Sequence, residues 1–204
     1  MPQTQVAVVT FDGFNEIDSF VASAMINRCR QDGLAAYITT PTPRVSSMNG
    51  VEVEGQRPLE FTAEADVVLI GSGIKTRDAI ADDHLIGAIK LDPEHQLIGS
   101  QCSGALVLAR LGLLGTMPAC TDIKSRPYVE QCGVKVLDEP FHAEGGIATA
   151  GGCLASQYLG AWTIARTLGA DAARAVVDYI APYGENAETV RRVMSAIGCP
   201  SSDH

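Results

Sequence analysis

The stretch Leu97 to Gly104, Leu-Ile-Gly-Ser-Gln-Cys-Ser-Gly, carries an apolar strand pattern straight into a cysteine, and a helix pattern follows at once from Ala105 to Gly112. This junction is the sequence form of a nucleophile elbow, a tight strand-to-helix turn that lifts one side chain above a sheet. Here that side chain is Cys102. A thiol at a helix N-terminus meets the positive end of the macrodipole, which favours the thiolate. A free cysteine is more often a small buried hydrophobe, but Ser103 and Gly104 mark a turn and not a core. The chemistry implied is attack by sulfur on an electrophile.

Ligands of open α/β sheets bind beyond the carboxyl ends of the strands. Four loops meet that condition: residues 12–18, 71–75, 102–104 and 151–153. The first brings Asn15, Glu16 and Asp18, where a carboxyl group could act as general acid or base beside the thiol. Each equally suits a helix cap or an acidic first turn. Gly71-Ser72-Gly73 offers backbone N–H groups that, with those of Ser103 or Gly104, could form an oxyanion site. It lacks the third glycine of a dinucleotide fingerprint, so no nicotinamide cofactor is expected. Gly151-Gly152 reads as a close packing point or as the turn before a helix.

The four histidines, at 84, 95, 142 and 204, are scattered among charged or loop residues, and none falls at a strand end near Cys102. A thiol without a histidine base would depend on the helix, on backbone donors and on a carboxylic acid. The other cysteines, at 29, 120, 132, 153 and 199, form no C-x-x-C pair and match neither a zinc site nor a disulfide framework. They are expected to be free thiols in packing roles, with no metal site and a reducing, cytoplasmic location.

The elements that must position these residues alternate strand and helix. Apolar runs at Val6–Phe11, Ala36–Thr40, Ala65–Ile70 and Leu97–Gln101 predict parallel strands buried on both faces. Helices are expected over about 18–30, from the Gly71 loop to about Lys90, from Ala105 to Gly112, over 154–168 and from Ala170 to about Ile180. Residues 41–60 predict a small hairpin around Asn49-Gly50. Lys135–Leu137 and Gly146–Ala150 predict two further strands flanking a turn. The pattern is α/β, a sandwich around a mostly parallel sheet.

A length of 204 residues suits a single domain, 1–204, with its core at about 5–186. With 46% apolar and 19% charged residues the chain is globular, not disordered. A net charge of −9 without a Lys/Arg cluster argues against nucleic acid as a partner. No apolar run is long enough for a membrane span, and the N-terminus lacks a signal-peptide pattern.

Taken together, Phe11–Asp18, Ile70–Gly73, Gln101–Ala109 with Gly112-Leu113-Leu114-Gly115, and Thr149–Gly152 resemble the ThiJ/PfpI superfamily, and within it the isocyanide (isonitrile) hydratases. The likeness runs from Val6 to about Asn186 and implies a flavodoxin-like, class I glutamine amidotransferase-like three-layer sandwich. It implies a cofactor-free lyase in which Cys102 attacks the terminal carbon of an isocyanide and Asp18 protonates it. Water then converts the thioimidate to an N-substituted formamide. Ser72, Gly73, Ser103 and Gly104 would bind substrate, with Glu16, Asp122 and Gly152 behind them. The resemblance further implies a homodimer. The chain departs from the family's pattern at Ser72, where Pro-Gly-Gly is common, at Ser103, where hydratases carry threonine, and at Asp122, where many relatives carry histidine. The resemblance also puts Cys120 near Cys102. Glyoxalase-like chemistry on small dicarbonyls, a redox-sensing or protective role for an oxidisable Cys102, and a ligand-sensing domain are the alternatives. The last would need a helix-turn-helix segment after Asn186, which the sequence lacks.

Overall fold

Strands that read as unbroken apolar runs need cover on both faces, and alternation of side chains along them decides which layer each residue joins. The computed structural model describes residues 3–199. Its seven-stranded sheet has β1 (Thr4–Val9), β2 (Leu34–Thr40), the two-residue β5 (Arg57–Pro58), β6 (Val67–Ile70), β7 (Leu97–Gln101), β8 (Phe141–Glu144) and β9 (Ile147–Ala150). The order across it is β5-β2-β1-β6-β7-β9-β8. Every pairing is parallel except β8 with β9. The remaining two strands, β3 (Arg44–Ser46) and β4 (Glu52–Glu54), form the small hairpin predicted around Asn49-Gly50.

Val6, Val8, Val67 and Leu69 face one layer, made by α1 (Glu16–Asn27), α6 (Ser156–Leu168), α7 (Ala170–Ile180) and α8 (Asn186–Ala196). Their neighbours Ala7, Val9, Val68 and Ile70 face the other, made by α2 (Thr76–Ala81), α3 (Asp83–Ala88), α4 (Gly104–Arg110) and α5 (Arg126–Gln131). The result is a three-layer α/β sandwich. Each buried Val, Leu or Ile side chain contributes on the order of 1.5–3 kcal/mol, and both layers are continuous from edge to edge.

Three expectations need correction. Lys135–Leu137 is not a strand; Val136 makes a single bridge to Ala119. The hairpin partner of β9 is β8, which turns at Gly145-Gly146 and pairs Phe141 with Ala150. The apolar layer also does not stop near residue 186. Thr189, Val190, Val193 and Met194 bury one face of α8, and Glu188, Arg191 and Arg192 on its other face mask that stripe in the sequence. The single helix expected up to Lys90 is two, because Asp82 ends α2 and its side chain accepts from His84 N and Leu85 N to cap α3. His204 lies outside the described residues. No helix among the described residues is long and apolar enough to cross a membrane.

Candidate active site

Cys102 follows the last residue of β7 and is the one non-glycine residue among those described with a positive φ, 45°. Such a conformation costs an L-residue roughly 1–2 kcal/mol, so the surroundings must hold it. They do so from both sides. Cys102 N donates to Ala150 O on β9 at 2.8 Å, and Thr121 Oγ1 donates to Cys102 O at 2.8 Å. α4 begins immediately afterwards, at Gly104. A Cβ there would lie 2.7 Å from both Ile70 O and Gly71 O, so only glycine lets the helix dock this close to β6.

Asp18 reaches the same point from α1. Asn15 caps that helix, its side chain accepting from Ile17 N, so the first turn projects Asp18 inward, 2% exposed, while Cys102 is 3% exposed. Ser72 Oγ donates to Asp18 Oδ2. Oδ1 is buried and takes no N–H or O–H donor; the thiols of Cys102 and Cys153 lie against the carboxyl group instead. Burial, chiefly, and the charge of Asp122 hold the Asp18 carboxyl above its ordinary range, against the lowering effect of Ser72 and the thiols.

The helix was expected to favour the Cys102 thiolate. The structure reverses that: burial, chiefly, then the charge of Asp18, push the thiol strongly up, and only Gln101 Nε2, 3.5 Å from the sulfur, opposes them. The sulfur is therefore held as a thiol against a carboxyl group that burial also holds above its ordinary range. One proton shared by a thiol and a carboxylate in contact is the arrangement in which attack by sulfur and proton transfer to oxygen occur together.

These groups floor a cavity of about 590 Å³. Ser72, Gly73, Ser103 and Asp122 line it, as does Cys153; Met48, Ile74 and Ile123 form an apolar rim. No histidine is among the lining residues. Gly73 N is already engaged by Thr76 Oγ1 at 3.1 Å and Ser103 Oγ at 3.3 Å, so it is not the free oxyanion donor expected. Ser103 Oγ instead locks α4 to α2, 2.8 Å from Thr76 Oγ1. Gly104 sits beneath the cavity floor and not in its lining, and Gly152 lines a neighbouring cavity.

Glu16 does not face the cavity. It binds Ser47 Oγ and Asn49 Nδ2, pinning the β3–β4 hairpin beside the rim, and the Ser47 hydrogen bond holds its carboxyl below the usual range. Asp122 accepts from Lys124 N and Ser125 N, which fixes its charge at the rim.

Sequence reasoning missed Cys153 and placed Cys120 nearby in its stead. Cys120 is fully buried and outside the lining. Cys153 opens a short 3-10 turn behind β9, and its sulfur accepts from Asn15 Nδ2 at 3.1 Å. The carboxylate of Asp18 and the sulfurs of Cys102 and Cys153 all lie within 4.8 Å of one another. Cys153 closes the fourth of the strand-end loops, and its position there was the available signal. Two thiols and a carboxylate also make a donor set suited to a thiophilic cation. Cys132, expected in a packing role, is exposed.

A model of the DJ-1/PfpI family matches residues 4–164. Solved structures share the fold at low identity. DJ-1 of Schizosaccharomyces pombe is 18% identical with a TM-score of 0.75, over 87% of this chain and 99% of that one. A ThiJ/PfpI family protein from Pseudomonas syringae is 18% identical with a TM-score of 0.74, over 98% and 89%. Oxidized DJ-1 of Toxoplasma gondii is 18% identical with a TM-score of 0.72, over 87% and 97%. No curated protein matches the chain. The chain belongs to the DJ-1/PfpI family.

Proposed function

We propose that this member of the DJ-1/PfpI family, whose relatives include cysteine-dependent enzymes and redox-sensing proteins, is a cofactor-free isocyanide hydratase acting through Cys102 and Asp18. The observation that carries the reading is the contact of a buried thiol with a buried carboxyl group in a cavity lined by no histidine. An isocyanide suits that pair because it is neutral, carbon-electrophilic and needs a proton at the carbon that sulfur attacks.

In this mechanism the Asp18 carboxylate takes the thiol proton as Cys102 Sγ bonds to the terminal carbon, and returns it to that carbon. The product is a thioimidate. Asp18 takes a proton from water as its oxygen adds to the same carbon and passes that proton to the nitrogen; the C–S bond then breaks, the remaining hydroxyl proton goes to sulfur, and an N-substituted formamide leaves. Ser72 Oγ, donating to Asp18 Oδ2, holds the carboxyl group in place beside the sulfur. Asp122 raises the basicity of Asp18 through its charge. Ser103, Gly73 and Gly104 shape the floor, and Gly152 sets the turn that carries Cys153. The apolar rim of Met48, Ile74 and Ile123 suits an alkyl or aryl substituent.

A cytoplasmic homodimer belongs to the same reading. Ile17, Met48, Val51 and Ile74 are exposed apolar side chains, and a two-fold partner, the commonest oligomer, would cover them. Glyoxalase-like chemistry draws less support, since it wants a histidine beside the thiol. Proton NMR detection of formamide from alkyl and aryl isocyanides tests the proposal. Turnover in the wild type and none in Cys102→Ala is the expected result. Absence of turnover across both substrate classes overturns it.

A further inference from the structure

The hydratase mechanism leaves the second thiol of the cavity unused. We infer that Cys153 is a resolving thiol for Cys102, so that a peroxide oxidises Cys102 and the pair closes into a reversible disulfide. The inference rests on the reading of Cys102 as the reactive thiol, and it adds a peroxide-reducing activity to the same cavity.

Three observations carry it. The two sulfurs lie within 4.8 Å and need to close to ~2.05 Å for a disulfide. The segments that bear them differ in freedom. Cys102 is clamped through its N–H by Ala150 and through its C=O by Thr121. Cys153 is part-exposed and begins a three-residue 3-10 turn directly after Gly152, whose φ is 89° and beside which a Cβ would meet nothing within 4 Å. The turn can therefore bring Cys153 to a fixed partner. Finally, each sulfur has its own amide donor: Gln101 Nε2 for Cys102 and Asn15 Nδ2 for Cys153. Hydrogen bonds of this kind favour the charged form of the acceptor; here they work against burial and the Asp18 charge, which push both thiols up. The shared carboxyl group of Asp18 is in contact with both thiols to take a proton as each reacts.

The steps balance without a cofactor. Cys102 sulfur attacks the distal oxygen of a hydroperoxide while its proton passes to Asp18. The O–O bond breaks, and the alcohol or water leaves with that proton. Cys102 is now a sulfenic acid. Cys153 sulfur attacks the sulfenic sulfur, the S–S bond forms, and hydroxide departs with the Cys153 proton as water. Two electrons from a dithiol reductant restore both thiols. With Cys153 in place the sulfenic acid is consumed before a second peroxide can carry it to the sulfinic acid, a state that thiols do not reverse.

The test exposes reduced full-length protein to a several-fold excess of hydrogen peroxide, blocks remaining thiols with N-ethylmaleimide, and maps peptides without reduction. The wild type is expected to yield a Cys102–Cys153 linked peptide, two hydrogens lighter than the sum of its parts, which dithiothreitol opens. Cys153→Ser and Cys153→Ala are expected to yield instead Cys102 with two added oxygens, unchanged by dithiothreitol. Finding that sulfinic product in wild type and variants alike, without the linked peptide, overturns the inference. The hydratase reading fails separately: a linked peptide in a protein that turns over no isocyanide upholds the disulfide and discards the hydratase. Isocyanide turnover with no linked peptide does the reverse.

Discussion

Cys102 and Cys120 are both sealed from solvent, 3% and 0% exposed, and burial is the leading cause that pushes each thiol up, Cys120 to about 12. What separates them is the company each keeps. Cys120 sits beside the bridge from Ala119 to Val136, its backbone N–H donating to Thr149 Oγ1 at 2.8 Å, and Glu139 adds a charge that only raises the thiol further. Its sulfur faces packing. Cys102 has a strained backbone, a carboxyl group in contact, a second thiol and a cavity above it. Burial alone makes a thiol inert. Beside a proton acceptor with an open approach, it makes one that gives up its proton only as it reacts.

Replacing each sulfur in turn puts that contrast to its hardest test. Cys102→Ala is expected to lower isocyanide turnover by at least ~10⁴-fold, the scale on which removal of a nucleophile is felt. Cys120→Ala is expected to leave kcat/KM unchanged and to cost about 1 kcal/mol of stability for the buried atom removed, read by urea denaturation. Loss of activity in Cys120→Ala with retained folding would break the comparison.

Removing the carboxylate from the active pair comes next in size. Asp18→Asn is expected to lower kcat/KM by ~10²–10⁴-fold and to abolish its rise with pH, since activity needs the Asp18 carboxylate and its midpoint lies above the ordinary carboxylate range. Stability moves the other way. The folded-state pKa of Asp18 is raised, so its contribution is fully present below the unfolded pKa and is lost as pH climbs through the folded one. Asp18→Asn removes that loss, and the variant is expected to melt a few degrees above the wild type at neutral pH, ~2–4 °C for each 1 kcal/mol recovered. A lower melting temperature there would contradict the direction given for Asp18.

Much of this was legible in the sequence because local pattern and tertiary role agree. The strand-to-cysteine-to-helix junction at Gln101–Gly104 has one structural solution, and Asp18 sits where Asn15 forces a helix to begin. Less legible were features set by partners remote in the chain. Its place in a strand-end loop was the one local signal for Cys153; Asn15 and Asp18, more than 130 positions away, make it part of the site. Free donors at Gly73 were a fair reading of Gly-Ser-Gly, but Thr76 and Ser103, on two other elements, consume them. β8 and α8 were missed because edge strands and half-charged helices bury too little to show a strong pattern. The sign of the Cys102 shift was missed because a helix dipole can be read from sequence and desolvation cannot.

The junction itself can be probed without touching any side chain that reacts. Gly104→Ala would set a Cβ 2.7 Å from Ile70 O and Gly71 O, and both neighbours are backbone at the end of β6. Overpacking against groups that cannot yield costs ~1–3 kcal/mol, and because α4 must lift away, Cys102 moves with it. The variant is expected to lose stability and turnover together. Gly112→Ala, just beyond α4 at a φ of 72° with nothing within 4 Å, is expected to lose stability alone.

The smallest effect has opposite signs at the two cysteines. At position 102 the backbone is left-handed, a region that glycine enters freely and alanine does not, so Cys102→Gly should be about 1 kcal/mol more stable than Cys102→Ala. At position 120 φ is negative, and glycine brings only its extra unfolded-state entropy; Cys120→Gly should be less stable than Cys120→Ala by roughly 0.5–1 kcal/mol. Four denaturation curves suffice. A reversal of order between the two sites locates the strain at the elbow, independently of any chemistry the thiol performs. The same order at both sites would mean that Cys102 bears no more backbone strain than a core cysteine, and that contact with Asp18 alone sets the two thiols apart.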